Sequence, residues 1–172
     1  LGNDVAVSAF TFADLKKLTT VVLGNRVKNI SSYTFKDCVS IESVTMSDSV
    51  TTIGYRAFYN CSGLKSINIP ESVTYISSDA FAGCSNIEEL YLGNDEALSA
   101  FEFSQLEKLT VVTFGNGVTS IPDSAFYGCT NLETVTISDS VKTVGNSAFY
   151  DCSGLSTITM GKSVESIGDS AF

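Results

Sequence analysis

The chain has 172 residues, of which 44% are hydrophobic and 17% are charged, and its formal net charge is -9. This balance supplies enough apolar surface for a core and excludes a disordered chain. Nucleic-acid binding depends on clustered lysine and arginine, so the acidic balance argues against DNA and RNA as partners. No apolar stretch approaches the roughly 20 residues of a membrane helix, and we expect no transmembrane segment in this sequence.

Phenylalanine recurs along the chain at a nearly constant spacing. Every step is 23 residues except one of 22, and the positions are Phe12, Phe35, Phe58, Phe81, Phe103, Phe126, Phe149 and Phe172. Such a period is typical of a solenoid, in which stacked coils bury a continuous core. We predict a repeat solenoid of about eight 23-residue coils that forms one domain over residues 1–172. Because the pattern stops in mid-repeat, we also expect a fragment of a longer chain.

Each unit predicts the same order of short elements. Val135 and Ile137 alternate with Thr134 and Thr136, which is the period of a half-buried strand. We predict that equivalent strands of adjacent coils pair into a parallel β-sheet on one face. A turn, a second short extended segment and one turn of α or 3₁₀ helix follow on the other face. The phenylalanine rings are predicted to stack as the spine of the core.

Two rows of residues alternate with the buried ones and are expected on the outer face of this sheet. The rows are Thr20, Ser43, Ser66, Glu89, Val111, Thr134 and Thr157, and then Val22, Thr45, Asn68, Tyr91, Thr113, Thr136 and Thr159. Strand propensity explains most of the threonine. Tyrosine is a favoured interface anchor, and Tyr91 is the single aromatic residue of the two rows. The candidate partner-binding residues are therefore Asn68, Glu88, Glu89, Tyr91, Thr113 and Thr136.

One repeat position holds all the cysteines. They are Cys38, Cys61, Cys84, Cys129 and Cys152, and leucine replaces them in two other units, as at Leu106. Replacement by leucine indicates an apolar site, and zinc sites usually need closely spaced cysteines or histidine, which the chain lacks. We predict core thiols and no metal site. Pairing of neighbouring cysteines and the redox compartment stay open.

Enzymatic chemistry has little support in the sequence. Without histidine, neither a Ser-His-Asp nor a Cys-His arrangement can be built. Paired carboxylates could serve a glycosidase, yet no second acidic row faces Glu88 and Glu89. The run from Gly115 to Gly117 is a turn between extended segments and lacks the helix that phosphate loops need. We expect no enzymatic activity and no cofactor.

One segment departs from the regular pattern. Residues 1–12 reappear as residues 92–103, which we name the copied segment. Its unit is one residue shorter, adds Phe101 to the phenylalanines, and has Glu96 where other units have valine. We expect a bulge or kink here, for which partner binding and neutral variation are both open reasons. Acidic residues crowd this region, and we interpret them as a solvated face.

The pattern I-G-x2-A-F-x2-C followed by x2-L-x2-[VI]-x-I-P, as from Ile53 to Pro70, resembles the BspA-type leucine-rich repeats. The resemblance covers essentially the whole chain. It implies a leucine-rich-repeat-like solenoid that serves as a scaffold for contact, in proteins that are typically surface-exposed or secreted. Several such proteins are regarded as adhesins for host proteins. The family has no shared catalytic residues, and its ligand differs between members.

Three classes of function remain. The first is a non-enzymatic protein-interaction or adhesion module, at the cell surface or secreted. It would bind a host or neighbouring-cell protein, such as an extracellular-matrix or plasma protein, through the sheet. The second is a polysaccharide-binding or polysaccharide-active solenoid, which predicts a groove lined by several aromatic residues. The third is an ice-binding-type surface, suggested by the threonine rows that other residues interrupt.

Overall fold

The computed structural model describes residues 11–101 and 103–172, which form a stack of coils built from short strands and turns. The strands are β1 (Thr20–Val22), β2 (Asn29–Ile30), β3 (Ser43–Thr45), β4 (Thr52–Ile53), β5 (Ser66–Ile69), β6 (Tyr75–Ile76), β7 (Glu89–Asn94), β8 (Val111–Gly117), β9 (Ser120–Ile121), β10 (Thr134–Thr136), β11 (Thr143–Val144), β12 (Thr157–Thr159) and β13 (Ser166–Ile167). One short helix, α1 (Asp95–Leu98), and one 3₁₀ turn (Phe103–Gln105) complete the elements of these residues.

The main sheet is parallel and has seven strands in the order β1-β3-β5-β7-β8-β10-β12. Its register advances by one coil at each step, so that Thr20 pairs with Ser43, Ser43 with Ser66, and Ser66 with Glu89. The first predicted row is thereby confirmed as an aligned row of one sheet over its whole length. In the second row, Val22 pairs with Thr45, and the residues from Asn68 to Thr159 pair in the predicted order. The described residues hold seven such strands rather than about eight, because eight phenylalanines enclose seven intervals with one strand each.

The predicted spine of stacked phenylalanine rings is confirmed. The ring centroids of Phe58 and Phe81 lie 5.3 Å apart with nearly parallel planes. At the copied segment the extra ring of Phe101 enters the stack, 4.8 Å from Phe81 and 5.7 Å from Phe103. The stack resumes with Phe103 and Phe126, whose centroids lie 4.2 Å apart. The extra phenylalanine therefore keeps the core continuous through the shortened unit.

In the segments that close each coil, backbone N–H groups donate hydrogen bonds alternately to carbonyls of the same coil and to carbonyls of the next coil. The N–H of Ala57 donates to the carbonyl of Gly54 at 3.2 Å, whereas the N–H of Phe58 donates to the carbonyl of Ala80 at 2.8 Å. The first of these is the i→i+3 bond of a 3₁₀ turn. Left-handed backbone at residues such as Asn60, with φ 57°, prevents these turns from joining into a helix. A 3₁₀ helix as such forms only at Phe103–Gln105 among the described residues.

The second sheet is split by the copied segment. Strands β2, β4 and β6 form one three-stranded sheet, and β9, β11 and β13 form another. Between them α1 stands where a strand would pair, and the carboxylates of Glu96 and Asp95 take the place of strand carbonyls. Glu96 Oε1 accepts from the N–H of Ile76 at 3.1 Å, and Asp95 Oδ1 accepts from the N–H of Thr119 at 2.8 Å. Asp95 stays exposed, in agreement with a solvated face, whereas Glu96 is half-buried against the end of β6.

The predicted irregularity also appears in the main sheet. Pairing of β7 with β8 shifts register between Leu92 and Asn94, as a β-bulge does. Asn94 then caps α1, since its side chain accepts from the N–H of Ala97. The bulge and the cap convert the extended backbone of β7 into the helix that separates the two smaller sheets.

Replacing Glu96 with alanine should lower the free energy of unfolding by about 1–3 kcal/mol, because the buried N–H of Ile76 loses its acceptor. Urea unfolding of the wild type, Glu96→Ala and Glu96→Gln measures this. The glutamine variant retains a carbonyl acceptor and should lose less stability. Equal stability of wild type and the alanine variant would show that the carboxylate does not support the end of β6.

Candidate partner-binding surface

The six candidate residues lie together on the main sheet. Asn68 of β5 pairs with Tyr91 of β7, Tyr91 with Thr113 of β8, and Thr113 with Thr136 of β10, which makes one row across four strands. Glu89 occupies the neighbouring row on β7, and Glu88 directly precedes that strand. We name the outer surface of the main sheet, together with the residues that border its strands, the sheet face. Whether these residues bind a partner stays a prediction.

Tyr91, which was expected on the outer face of the sheet, is partly enclosed there. Asn68, Glu88 and Glu89 are exposed, whereas Tyr91 is half-buried. Its ring lies over Gly115, where an added Cβ would come within 3 Å of the tyrosine ring. A side chain at position 115 would occupy the space of the tyrosine, so the glycine permits this position of the ring. Tyr91 is thereby held against the sheet.

A cavity of about 510 Å³ opens beside Tyr91 at the carboxyl ends of β3, β5 and β7. It is lined by Met46, Asp48, Asn68, Pro70, Glu71, Ser72 and Tyr91. Sequence reasoning placed Asn68 and Tyr91 here but missed the rest, because those residues lie in turns rather than in the alternating strands. Asp48 and Glu71 are separated by one repeat of 23 residues, and this spacing was the available signal.

Hydrogen bonds from later coils position the acidic wall of this cavity. Asn94 Nδ2 donates to the carbonyl of Glu71 at 2.9 Å, and the N–H of Asn116 donates to Glu71 Oε1 at 3.1 Å. Burial, followed by the nearby carboxylates of Glu71 and Asp48, raises the pKa of the Tyr91 hydroxyl. The tyrosine hydroxyl therefore experiences a negative environment and stays protonated at neutral pH.

Tyrosines also occur away from the main sheet, in the closing turns, whose outer surface we name the turn face. Tyr33, Tyr55, Tyr127 and Tyr150 are exposed there, and Tyr59 is half-buried. The ring centroids of Tyr33 and Tyr55 lie 5.4 Å apart edge to face, and those of Tyr127 and Tyr150 lie 5.4 Å apart and stacked. Sequence reasoning missed this surface. The signal was that Tyr59, Tyr127 and Tyr150 each follow a phenylalanine of the spine directly.

The cysteines are core residues, as predicted. All five are buried and free, which answers the open question of pairing. The thiol of Cys61 lies 3.2 Å from the carbonyl of Phe35, and the thiol of Cys84 lies 3.2 Å from the carbonyl of Phe58. Burial raises the pKa of the Cys61 and Cys129 thiols to about 12. Within residues 11–101 and 103–172, no group of three or more His, Cys, Asp or Glu side chains could hold a metal ion.

The described part of the chain contains no helix that is both long enough and apolar enough to cross a membrane. Comparison with curated protein sequences gives no significant match. Solved structures do match. A leucine-rich repeat protein from Eubacterium ventriosum is 28% identical with a TM-score of 0.73, and the alignment covers 94% of this chain and 44% of that protein.

Two further solved structures are similar. A leucine-rich repeat protein from Bacteroides ovatus is 26% identical with a TM-score of 0.61, over 91% of this chain and 46% of that protein. The leucine-rich repeat protein of T. pallidum is 28% identical with a TM-score of 0.60, over 87% of this chain and 72% of that protein. This chain thus spans less than half the length of the first two structures.

The family model described as BspA type leucine rich repeat region (6 copies) matches residues 5–98 and 96–172. This agrees with the parallel coils, the phenylalanine spine and the buried cysteine position. The chain belongs to the family of BspA type leucine-rich repeat proteins.

Proposed function

We propose that this solenoid is a non-enzymatic protein-binding module, exposed at a cell surface or secreted, whose partner contacts the sheet face around Tyr91. The observation that carries the proposal is the row of Asn68, Tyr91, Thr113 and Thr136 beside an open cavity. Membership of the BspA type family supports an interaction role in general. Host extracellular-matrix or plasma proteins and proteins of neighbouring cells are the partners that we would test.

The arrangement of Tyr91 suits an interface anchor. A tyrosine contributes a large amphipathic contact area and has few rotatable bonds, so little conformational entropy is lost when it is covered. Here the ring already rests over Gly115, which limits its rotation before a partner arrives. The threonines of the same row add small polar groups that a partner can contact closely. The face therefore combines a preorganised aromatic residue with an accessible rim.

A polysaccharide ligand is the second candidate, and the turn face is the observation that favours it. Tyr33, Tyr55, Tyr127 and Tyr150 are between 39% and 49% exposed, which supplies the aromatic residues that the sheet face lacks. Tyr127 and Tyr150 stack on each other with an angle of 17° between their rings. This stacking covers one face of each ring and so reduces the ring surface that a sugar could contact, which makes the turn face the weaker candidate. An ice-binding surface has less support, because Asn68 and Tyr91 interrupt the threonine rows.

The proposal is tested by screening the purified protein against immobilised matrix and plasma proteins and, in parallel, against a glycan array. We expect saturable binding to a protein and no specific glycan binding. Binding to glycans alone would favour the polysaccharide candidate and count against a protein partner. A thermal-hysteresis measurement on the same sample tests the ice-binding alternative.

The double variant Tyr91→Ala/Glu89→Lys should weaken binding to the captured protein at least about tenfold, because it removes the anchor and reverses a central charge. Its melting temperature should change by only a few degrees, since Glu89 is exposed and Tyr91 is half-buried. Thermal unfolding of the variant is the control for folding. A well-folded variant that binds as tightly as wild type would remove Tyr91 and Glu89 from the interface.

A further inference from the structure

We propose that the partner of the sheet face is a basic protein segment, and that one of its lysine or arginine side chains enters the cavity between Tyr91, Asp48 and Glu71. This inference rests on the proposed function of the same face and names the chemistry of its partner. It is carried by the lining of the cavity and by the distribution of charge over the whole sheet face.

The cavity offers both environments that a long cationic side chain needs. Met46, Pro70 and the ring of Tyr91 provide apolar contacts for the methylene groups, while Asp48 and Glu71 provide acceptors for the charged end. A tyrosine ring face also attracts ammonium and guanidinium groups. Among the described residues, no lysine or arginine lines the cavity.

Glu71 keeps most of its capacity to accept hydrogen bonds. An ionised carboxylate has about four acceptor sites, and the contact from the N–H of Asn116 to Oε1 uses one of them. That contact also fixes the carboxylate near the mouth of the cavity. An entering guanidinium or ammonium would thus meet an oriented acceptor, which limits the ordering that binding requires.

The charge around the cavity has the same sign. The charged residues directly before strands of the main sheet are Glu42, Lys65, Glu88 and Glu133, and Glu89 lies within a strand. The charged residues in turns after its strands are Arg26, Asp48, Glu71, Asp139 and Lys162. These exposed positions hold seven carboxylates against two lysines and one arginine. A basic segment complements this field, whereas an acidic partner would be repelled.

Two labelled ten-residue peptides test the proposal: one alternates lysine with threonine, and the other alternates glutamate with threonine. We expect saturable binding of the lysine peptide that weakens as salt rises, and no binding of the glutamate peptide. The variant Asp48→Asn/Glu71→Gln should weaken binding of the lysine peptide about 5- to 30-fold, the effect of losing two exposed charge contacts. The glutamine can still accept from Asn116, which protects the fold.

The matched control is Asp151→Asn/Asp169→Asn, which removes two exposed charges away from the sheet face. Its affinity for the lysine peptide should stay within about twofold of wild type. An equal loss in this control, equal binding of the glutamate peptide, or no saturable binding of the lysine peptide would overturn the proposal.

The same variants separate this proposal from the function that it rests on. A captured protein that loses affinity in Tyr91→Ala/Glu89→Lys but not in Asp48→Asn/Glu71→Gln would leave the sheet face as the interface and exclude a basic side chain in the cavity. A captured protein that is unaffected by both variants would overturn both proposals.

Discussion

Replacing Phe58 with alanine is expected to lower the free energy of unfolding by about 3–5 kcal/mol, the usual range for a buried phenylalanine. Phe58 is 0% exposed, and its ring lies 5.3 Å from those of both Phe35 and Phe81. Removal of the ring leaves a void in the middle of the stack. A coil cannot move along the axis to fill that void without breaking the parallel pairing of its strands.

Chemical denaturation with guanidinium chloride measures this effect, and Phe172→Ala provides the matched control. Phe172 stacks on Phe149 at 5.3 Å but is 46% exposed. Its replacement should cost only about 1–1.5 kcal/mol, because nearly half of its surface remains in water. Similar losses at the two positions would mean that the phenylalanine stack is not the main source of stability.

Alkaline pH is expected to destabilise the protein through its buried thiols. Burial raises the pKa of Cys61 and Cys129 from 9.0 to about 12 and that of Cys152 to about 11. The folded state therefore keeps these protons at a pH where the unfolded state has released them. This contribution is fully present below about pH 9. Above that pH it falls by about 1.4 kcal/mol per thiol and pH unit, until it is lost as pH passes the folded pKa of about 11 to 12.

The variant Cys61→Ala/Cys129→Ala isolates this effect from the ionisation of tyrosine and lysine, which is common to both proteins. Between pH 8 and pH 10, the free energy of unfolding of wild type should fall by about 2–3 kcal/mol more than that of the variant. Urea unfolding at each pH gives the comparison. Parallel pH profiles would show that the two thiols ionise in the folded protein as readily as in the unfolded chain.

The features that recur in every coil could be predicted from the sequence. The period of the phenylalanines predicted the ring stack, and the alternation around Val135 predicted which side chains face outward from the main sheet. These inferences succeeded because each coil repeats the environment of its neighbours, so one local pattern applies to many positions. The same logic placed the cysteines in the core, since leucine replaces them at equivalent positions.

Features that depend on contacts between different positions of neighbouring coils were not predictable in this way. Glu96 bonds to the backbone of Ile76, twenty residues earlier, and this contact requires the helix turn of the copied segment. The half-burial of Tyr91 depends on the absence of a side chain at Gly115 in the next strand. The cavity combines turn residues of two coils with a strand residue of a third, an arrangement that no single repeat contains.

The most direct test of the sheet face as the interface compares two double variants in binding to the same captured protein. Tyr91→Ala/Glu89→Lys changes the sheet face, and Tyr127→Ala/Tyr150→Ala removes an exposed aromatic pair from the turn face. Dissociation constants for wild type and both folded variants are measured side by side. We expect the first variant to lose at least about tenfold in affinity and the second to bind within about twofold of wild type. The reverse order, with binding lost only in the turn-face variant, would contradict the account.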